Sequence, residues 1–203
     1  MDPARRIIAE AGLHTWVVAK IEHPAALEDL DAIIDAFDAV MVARGDLGVE
    51  IPAAKVPLAQ KEVIKLASAF GKPVVIATQL LESMIDSQTP TRAEVSDIAN
   101  AIFDGVDALL VTGETAIGKF PVDVVKTLDQ VIKEIEQTKN ATRKSLPEDI
   151  NKTADAISHA VCSISADLDI ELIMTMTHSG STARMISRYR PHAKIFALTP
   201  FDK

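Results

Sequence analysis

Four short apolar segments recur between residues 15 and 112, and they constrain the fold more than any other feature of the sequence. They read TWVVAKI at 15–21, DAVMVA at 38–43, KPVVIAT at 72–78 and DALLVT at 107–112. All four are rich in Val, Ile and Leu and lack the alternation of a half-exposed strand, which predicts strands that are covered on both faces. Helical segments lie between them, so the order βαβαβαβα predicts a parallel sheet.

The intervening segments have helical periodicity and recognisable ends. Apolar residues recur at helical spacing over 25–36 and 54–70, and Pro121 opens a further helix over 121–138. Thr91 and Glu94 have the spacing of a capping box, and Gly105 marks the end of that helix.

Polar residues follow every predicted strand, which separates two candidate architectures. A doubly wound sheet concentrates functional residues in one or two loops, whereas every strand of a (β/α)₈ barrel ends at the active site. The sequence therefore favours a barrel. A complete barrel has eight βα units in about 250 residues, so the four units here form half of one. The residues in question are Lys20 and Glu22, Arg44 and Asp46, Thr78 and Gln79, and Thr112 and Glu114.

A change in composition over residues 137–152 indicates a second domain. This stretch is polar, contains Pro147 and has no apolar period, as expected of a linker. A helix (153–168), a strand (170–177), a helix (181–190) and a strand (193–199) are predicted beyond it. We place the barrel part at 1–139, the linker at 140–150 and the beginning of a three-layer α/β domain at 151–203.

Charge and cysteine content exclude several classes of protein. The chain has 21 Lys and Arg against 29 Asp and Glu, a formal net charge of −8, which argues against nucleic-acid and anionic-membrane partners. The one cysteine, Cys162, cannot form an intramolecular disulfide and suits a reducing compartment. We find no signal-peptide pattern and no run of about 18 apolar residues, so a cytoplasmic protein is expected. Trp16 and the methionines are expected in the core.

Glu22 and Asp46 form the candidate metal site. They follow two successive strands, and Mg²⁺ typically takes one or two carboxylates together with water and substrate oxygens. Lys20 lies two residues before Glu22 and so projects to the same side of the strand. Burial of that pair without a functional purpose is costly.

The segment RGDLGVE extends this site towards anion binding. Gly45 permits close approach of the backbone, and the amides of Gly45 and Asp46 open a short helical turn that can donate to an anion. Thr78 adds a hydroxyl. The spacing fits phosphoryl transfer and enolate stabilisation equally well.

A second candidate anion site lies in the segment THSGST. A strand here passes into a helix through hydroxyl residues and a glycine, which suits phosphate binding at a helix N-terminus. A simple N-cap by Ser179 or Ser181 explains the same pattern. The residues are Thr177, His178, Ser179, Gly180, Ser181 and Thr182.

Five segments, in order, resemble the pyruvate kinase family over essentially the whole chain. They are VVAKIEH, VMVARGDLGVEIP, GKPVVIATQLLESM, PTRAEVSDIANAIFDGVDALLVTGETAIGKFP and HSGSTARMISRYRP. The resemblance implies the last four βα units of the TIM barrel followed by the first part of the C-terminal regulatory domain. Two local departures from the family pattern are TGETA, with Thr112 where Ser is usual, and EHPAAL after Glu22.

The resemblance also implies roles for the candidate residues. Glu22 and Asp46 match the ligands of Mg²⁺, or Mn²⁺ in its place, and Lys20 matches the lysine that neutralises the transferring phosphoryl group and the enolate. Thr78, with the amides of Gly45 and Asp46, matches the positions that hold the phosphoenolpyruvate carboxylate.

Two further roles, and the ligands and partners, follow from the same resemblance. Thr112 and Glu114 match a proton relay to the enolate, and the loop Thr177–Thr182 matches the grip on an allosteric sugar phosphate or nucleotide. The implied substrates are phosphoenolpyruvate and ADP, with pyruvate and ATP as products. A homotetramer is implied, and K⁺ with ligands outside these 203 residues.

Two alternatives to a kinase remain open from the residues. One is a Mg²⁺-dependent aldolase of the phosphoenolpyruvate/pyruvate barrel type, which pairs a Glu and an Asp but does not need Lys20. The other is a non-catalytic sensor that uses only the HSGST loop. Because the family's first four barrel strands and lid domain have no counterpart here, the 203-residue chain alone is expected to have little or no kinase activity.

Overall fold

The computed structural model describes residues 3–138 and 153–201. Its contacts divide the chain into two units, Met1–Ile135 and Glu136–Lys203. The linker predicted at 140–150 lies outside the described residues, so the boundaries at 139 and 151 stay predictions.

The first unit is built on a parallel sheet of four strands in the order β1-β2-β3-β4. The strands are β1 (Val18–Ile21), β2 (Ala39–Ala43), β3 (Val74–Ala77) and β4 (Ala108–Leu110). All four predicted strands are confirmed, and their sequential parallel order is that of successive βα units.

Helices connect these strands, and two of them differ from the predicted pattern. The helices are α1 (Pro3–Glu10), α2 (Pro24–Glu28), α3 (Leu30–Ala36), α4 (Arg44–Glu50), α5 (Val56–Ala69), α6 (Arg92–Asp104), α7 (Gly113–Ala116) and α8 (Pro121–Glu136), with 3₁₀ turns at Ala53–Lys55 and Glu82–Ile85. The helix predicted at 25–36 is divided at Asp29, whose backbone leaves the helical region at φ −119° and ψ 31°. The short helix α7 was not predicted.

The capping box of α6 is confirmed. Thr91 Oγ1 accepts a hydrogen bond from the Glu94 backbone N–H at 3.3 Å, and the Thr91 N–H donates to Glu94 Oε2 at 2.7 Å. Gly105 ends the helix with φ 96°, a left-handed conformation that glycine adopts without steric cost. These two ends fix the part of the chain that leads into β4.

One face of the sheet forms the core and the other is partly open. The buried face packs against the helices through alternating residues of β1, β2 and β3: Ala19, Ile21, Val40, Val42, Val74 and Ile76. On the opposite face, Val18 is 42% exposed and Leu110 is 39% exposed. Full coverage of β1 and β4 was therefore a wrong prediction, because each is an outer strand of the described sheet with a neighbour on one side only. Trp16, expected in the core, is 51% exposed.

The second unit is a smaller α/β arrangement. It comprises α9 (Thr153–Asp167), β5 (Leu172–Met176), α10 (Ser181–Ser187) and β6 (Lys194–Leu198), with β5 and β6 parallel. Its core contains Cys162, Ile173, Ile186, Tyr189 and Ala193. The other side of the sheet exposes Met174 and Met176, so the prediction that the methionines are core residues fails there, although Met84 of the first unit is fully buried.

None of the helices in the described ranges is long and apolar enough to cross a membrane.

Candidate active site

The candidate residues of the first unit follow the carboxyl ends of neighbouring parallel strands. Strand register places Lys20 beside Met41, and Ala43 beside Ala77. Because all four strands run in the same direction, the residues that follow them lie at one edge of the sheet.

Lys20, Glu22 and Asp46 form a contiguous charged cluster, which we call the acidic-lysine cluster. Lys20 Nζ lies 2.5 Å from Glu22 Oε2 and 3.0 Å from Asp46 Oδ2. The predicted placement of Lys20 and Glu22 on one side of β1 is confirmed. The pair is not buried, however, since 50% of the Lys20 side chain and 42% of the Glu22 side chain are exposed on the open face of the sheet.

Mutual contact shifts the pKa values of Lys20 and Asp46. Hydrogen bonds to Glu22 and then to Asp46 raise the pKa of the Lys20 ammonium group above its ordinary value. The hydrogen bond from Lys20 lowers the pKa of the Asp46 carboxyl group. Both shifts favour the charged forms, the Lys20 ammonium group and the Asp46 carboxylate.

The same cluster fits a divalent cation. The described residues contain no group of three or more His, Cys, Asp or Glu placed to hold a metal. Two carboxylates, however, already converge on a single positive charge, and the Glu22 Oε2 atom that contacts Lys20 is shielded from solvent. Two carboxylates with further positions left for water and substrate are the ligand set that Mg²⁺ favours.

Arg44 is a buried arginine beside this cluster. It is the first residue of α4 and is only 8% exposed. Its Nη2 donates to Thr78 O at 3.0 Å and to Gln79 O at 2.7 Å, and its Nη1 contacts Asp97 Oδ2 at 2.5 Å. From the sequence, Arg44 is recognisable only as one of the polar residues that follow strands. The available signal for a functional role was its position in the sequence, directly after a buried strand and directly before a glycine.

Gly45 and Thr78 are brought into direct contact. The Gly45 N–H donates to Thr78 Oγ1 at 2.9 Å, and that hydroxyl donates to the Ala77 carbonyl at 2.6 Å. A Cβ at position 45 would lie 3.2 Å from Thr78 Oγ1, so glycine permits the close approach. The Gly45 amide expected to bind a substrate carboxylate is thus engaged by Thr78 in this conformation, and its role towards a substrate stays a prediction.

Thr112 and Glu114 lie together at the end of β4. Glu114 is 2% exposed, and its carboxylate accepts hydrogen bonds from the Leu81 N–H at 3.1 Å and the Thr112 N–H at 2.9 Å. The Thr112 side chain is exposed. Among the hydrogen bonds and ion pairs of the described residues, none joins these two residues to the acidic-lysine cluster.

The candidate effector loop of the second unit has a compact internal structure. Thr177 is buried and its Oγ1 accepts a hydrogen bond from the Gly180 N–H at 3.0 Å. Gly180, with φ 80°, is the N-cap of α10 and makes no side-chain capping bond, so an N-cap by Ser179 or Ser181 is wrong. The exposed members of the loop are His178, Ser179, Ser181 and Thr182.

The fold and these residues define the first unit as part of a (β/α) barrel with a candidate active site at the strand ends. The profile described as pyruvate kinase, barrel domain matches residues 1–125, and the profile described as pyruvate kinase, alpha/beta domain matches residues 155–203. The chain belongs to the pyruvate kinase family.

Individual relatives agree with this assignment. The chain is 52% identical to the pyruvate kinase of Thermotoga maritima and 46% identical to that of Clostridium acetobutylicum, in each case over 98% of the chain and 43% of the relative. The crystal structure of a pyruvate kinase from Cryptosporidium parvum superposes with a TM-score of 0.86 at 41% identity, covering 97% of the chain and 42% of that protein. The chain therefore spans less than half the length of these relatives.

Proposed function

We propose that this chain contributes a large part of the active site of a pyruvate kinase, which transfers the phosphoryl group of phosphoenolpyruvate to ADP. The observation that carries the proposal is the acidic-lysine cluster at the strand ends of a chain that belongs to this family. Phosphoryl transfer relies on positioning and on neutralisation of developing negative charge, and a lysine between two carboxylates supplies both.

Each member of the cluster has a separate role in this proposal. Glu22 and Asp46 would hold Mg²⁺, or Mn²⁺, which would supply positive charge near the phosphoryl and enolate oxygens. Lys20, which contacts both carboxylates, would turn its ammonium group towards the transferring phosphoryl group when the metal takes the place between them. Hydrogen bonds to Glu22 and Asp46 raise the pKa of Lys20, which favours the charged form of that group.

The corner formed by α4 and Thr78 is proposed to bind the substrate carboxylate. The amides of Gly45 and Asp46 open a helix, where N–H groups have no intrahelical acceptor. The Thr78 hydroxyl oxygen accepts the Gly45 N–H at 2.9 Å. In this proposal a carboxylate oxygen of the substrate takes the same position on binding. Substrate then receives the hydrogen bonds of both Gly45 and Thr78.

Protonation of the enolate is proposed to involve the end of β4. Thr112 has an exposed side chain, whereas both oxygens of the buried Glu114 accept backbone N–H groups. We therefore propose that the exposed Thr112 hydroxyl relays a proton from solvent water to the enolate, taking one proton up as it gives one away, and that Glu114 holds Thr112 through its backbone amide.

The remaining features of the family enter as proposals of the same kind. Residues 1–139 form the barrel part, 140–150 the linker and 151–203 the regulatory part, in which the loop Thr177–Thr182 binds a sugar phosphate or nucleotide. A K⁺ requirement with ligands outside these residues, a homotetramer and a cytoplasmic, glycolytic role complete the proposal.

The test replaces the matching segment of the pyruvate kinase of Thermotoga maritima with this chain, which gives an exchange protein. The two sequences are 52% identical over 98% of this chain. We expect the resulting protein to form pyruvate and ATP from phosphoenolpyruvate and ADP in a Mg²⁺-dependent manner. In that protein, Lys20→Met should lower kcat by a factor on the order of 10²–10³, the usual effect of removing one group that stabilises transition-state charge.

Lys133→Met is the matched control. Lys133 is an exposed lysine of α8 that pairs with Asp129 at 2.7 Å, and removal of this surface pair should leave the rate unchanged. A folded exchange protein in which Lys20→Met and Lys133→Met have equal rates would overturn the proposed function.

A further inference from the structure

We propose that Arg44 is a positioning residue: its guanidinium group holds Thr78 and Gln79 in a left-handed backbone conformation that brings the Thr78 hydroxyl onto the Gly45 amide. That this arrangement shapes the binding site for the substrate carboxylate rests on the function proposed above. The contact itself does not, because it joins residues of this chain to one another.

Two consecutive residues after β3 have positive φ angles that are unusual for their type. Thr78 has φ 69° and Gln79 has φ 54°. A β-branched residue such as threonine is a clear outlier in this region, and such conformations persist only when the surroundings impose them.

Arg44 supplies that constraint. Its Nε and Nη2 both reach the Thr78 carbonyl, at 3.3 and 3.0 Å, and Nη2 also donates to the Gln79 carbonyl at 2.7 Å. One planar group thus fixes the directions of two successive carbonyls. A lysine has the same charge but presents a single ammonium group and cannot reproduce this fork.

Asp97 of α6 orients the guanidinium group from the other side. Its Oδ2 lies 2.5 Å from Arg44 Nη1, and the Arg44 side chain is only 9% exposed. The buried arginine therefore has an ionic partner, and α6 is connected through it to the backbone corner that carries Thr78.

The Gly45 amide offers a direct readout of this arrangement. Gly45 is the second residue of α4, where a backbone N–H has no intrahelical acceptor, so protection of this amide from hydrogen exchange depends on Thr78 Oγ1. If Arg44 sets the conformation of Thr78, loss of the arginine must expose the Gly45 amide selectively.

The experiment measures amide hydrogen exchange by NMR in the 203-residue chain without ligand or metal. In Arg44→Lys we expect the Gly45 amide to exchange about tenfold faster, the change that corresponds to loss of one net hydrogen bond, while the strand amides of Val42 and Ile76 keep their rates. Arg5→Lys is the matched control, because Arg5 also joins a carbonyl, Ala36 O at 2.8 Å, to a carboxylate. It should leave Gly45 unchanged.

A second pair of variants separates positioning from general stability. Gln79→Gly removes the steric cost of the left-handed conformation at position 79. Adding it to Arg44→Lys should therefore restore part of the protection of the Gly45 amide. Should Arg44→Lys fail to fold, Asp97→Asn replaces it, with a smaller but still selective acceleration at Gly45.

Three results would overturn the proposal. These are an unchanged Gly45 rate in Arg44→Lys, equal acceleration of Gly45, Val42 and Ile76, and no recovery with Gln79→Gly. Each of them leaves the proposed function standing. An inactive exchange protein, in turn, would leave the Arg44 contact standing.

Discussion

Replacement of Glu114 by glutamine tests whether this buried carboxylate holds the end of β4. Its oxygens accept the Leu81 N–H at 3.1 Å and the Thr112 N–H at 2.9 Å, and the side chain is 2% exposed. In Glu114→Gln one of these N–H groups faces an amide NH₂ group, and the other loses its charged acceptor. A hydrogen bond to a charged group contributes about 1.5–3 kcal/mol, so we expect a local loss of about 3 kcal/mol.

The assay is hydrogen exchange at the two backbone amides concerned. A loss of about 3 kcal/mol corresponds to a roughly hundredfold faster opening of the Leu81 and Thr112 amides. Global stability, followed by urea unfolding of the chain, should fall in parallel if the contact is part of the cooperative core.

Glu62→Gln is the control for this substitution. Glu62 is an exposed residue of α5, where the same chemical change should alter stability by no more than about 0.5 kcal/mol. Exchange at Leu81 and Thr112 that changes no more in Glu114→Gln than in Glu62→Gln would refute the assignment of Glu114 as the residue that holds this corner.

Three further outcomes are expected. The hydrogen bond from the Val17 N–H lowers the pKa of Asp38, so this carboxylate stabilises the fold above its unfolded pKa of about 3.9 and loses that contribution as the pH falls further. The difference in the free energy of unfolding between wild type and Asp38→Asn, measured with urea, should therefore shrink from pH 7 to pH 3. A constant difference would contradict this. Thr91→Ala removes the α6 cap and should cost about 1 kcal/mol by the same measurement, an unchanged midpoint being the contrary result. Burial raises the pKa of Cys162 to about 11, so a thiol reagent at pH 7 should label it only after denaturation, and rapid labelling of the native chain would argue against that burial.

Local patterns in the sequence predicted the strands and the acidic-lysine cluster. Apolar segments of six or seven residues indicate buried strands, and a two-residue spacing places Lys20 and Glu22 on one side. Both inferences need only the chain's own periodicity and the direction of the strands. The structure confirms them with the 2.5 Å contact between the two side chains.

Features that depend on distant residues could not be predicted in this way. Glu114 accepts a hydrogen bond from Leu81, 33 positions earlier, and Arg44 reaches carbonyls 34 and 35 positions later. No local pattern encodes such contacts. The helix α7 was missed for a related reason, since its four residues are too short for any apolar period.

The exposure of residues on the open face of the sheet also could not be predicted from the sequence. An apolar strand pattern indicates that a residue favours burial but not how many layers cover it. Val18, Leu110 and Trp16 are all substantially exposed in the described ranges, although their types favour a core. Which residues cover a strand is a property of the whole fold.

The most direct test of the account is a crystal structure of the 203-residue chain with Mn²⁺, read from anomalous difference density. We expect one ion in contact with a carboxylate oxygen of Glu22 and one of Asp46, with the Lys20 ammonium group displaced from between them. We also expect this ion to be absent from Asp46→Asn crystals prepared in the same way. Manganese bound elsewhere on the chain, or bound equally in Asp46→Asn, would contradict the central claim that these residues form a divalent-cation site.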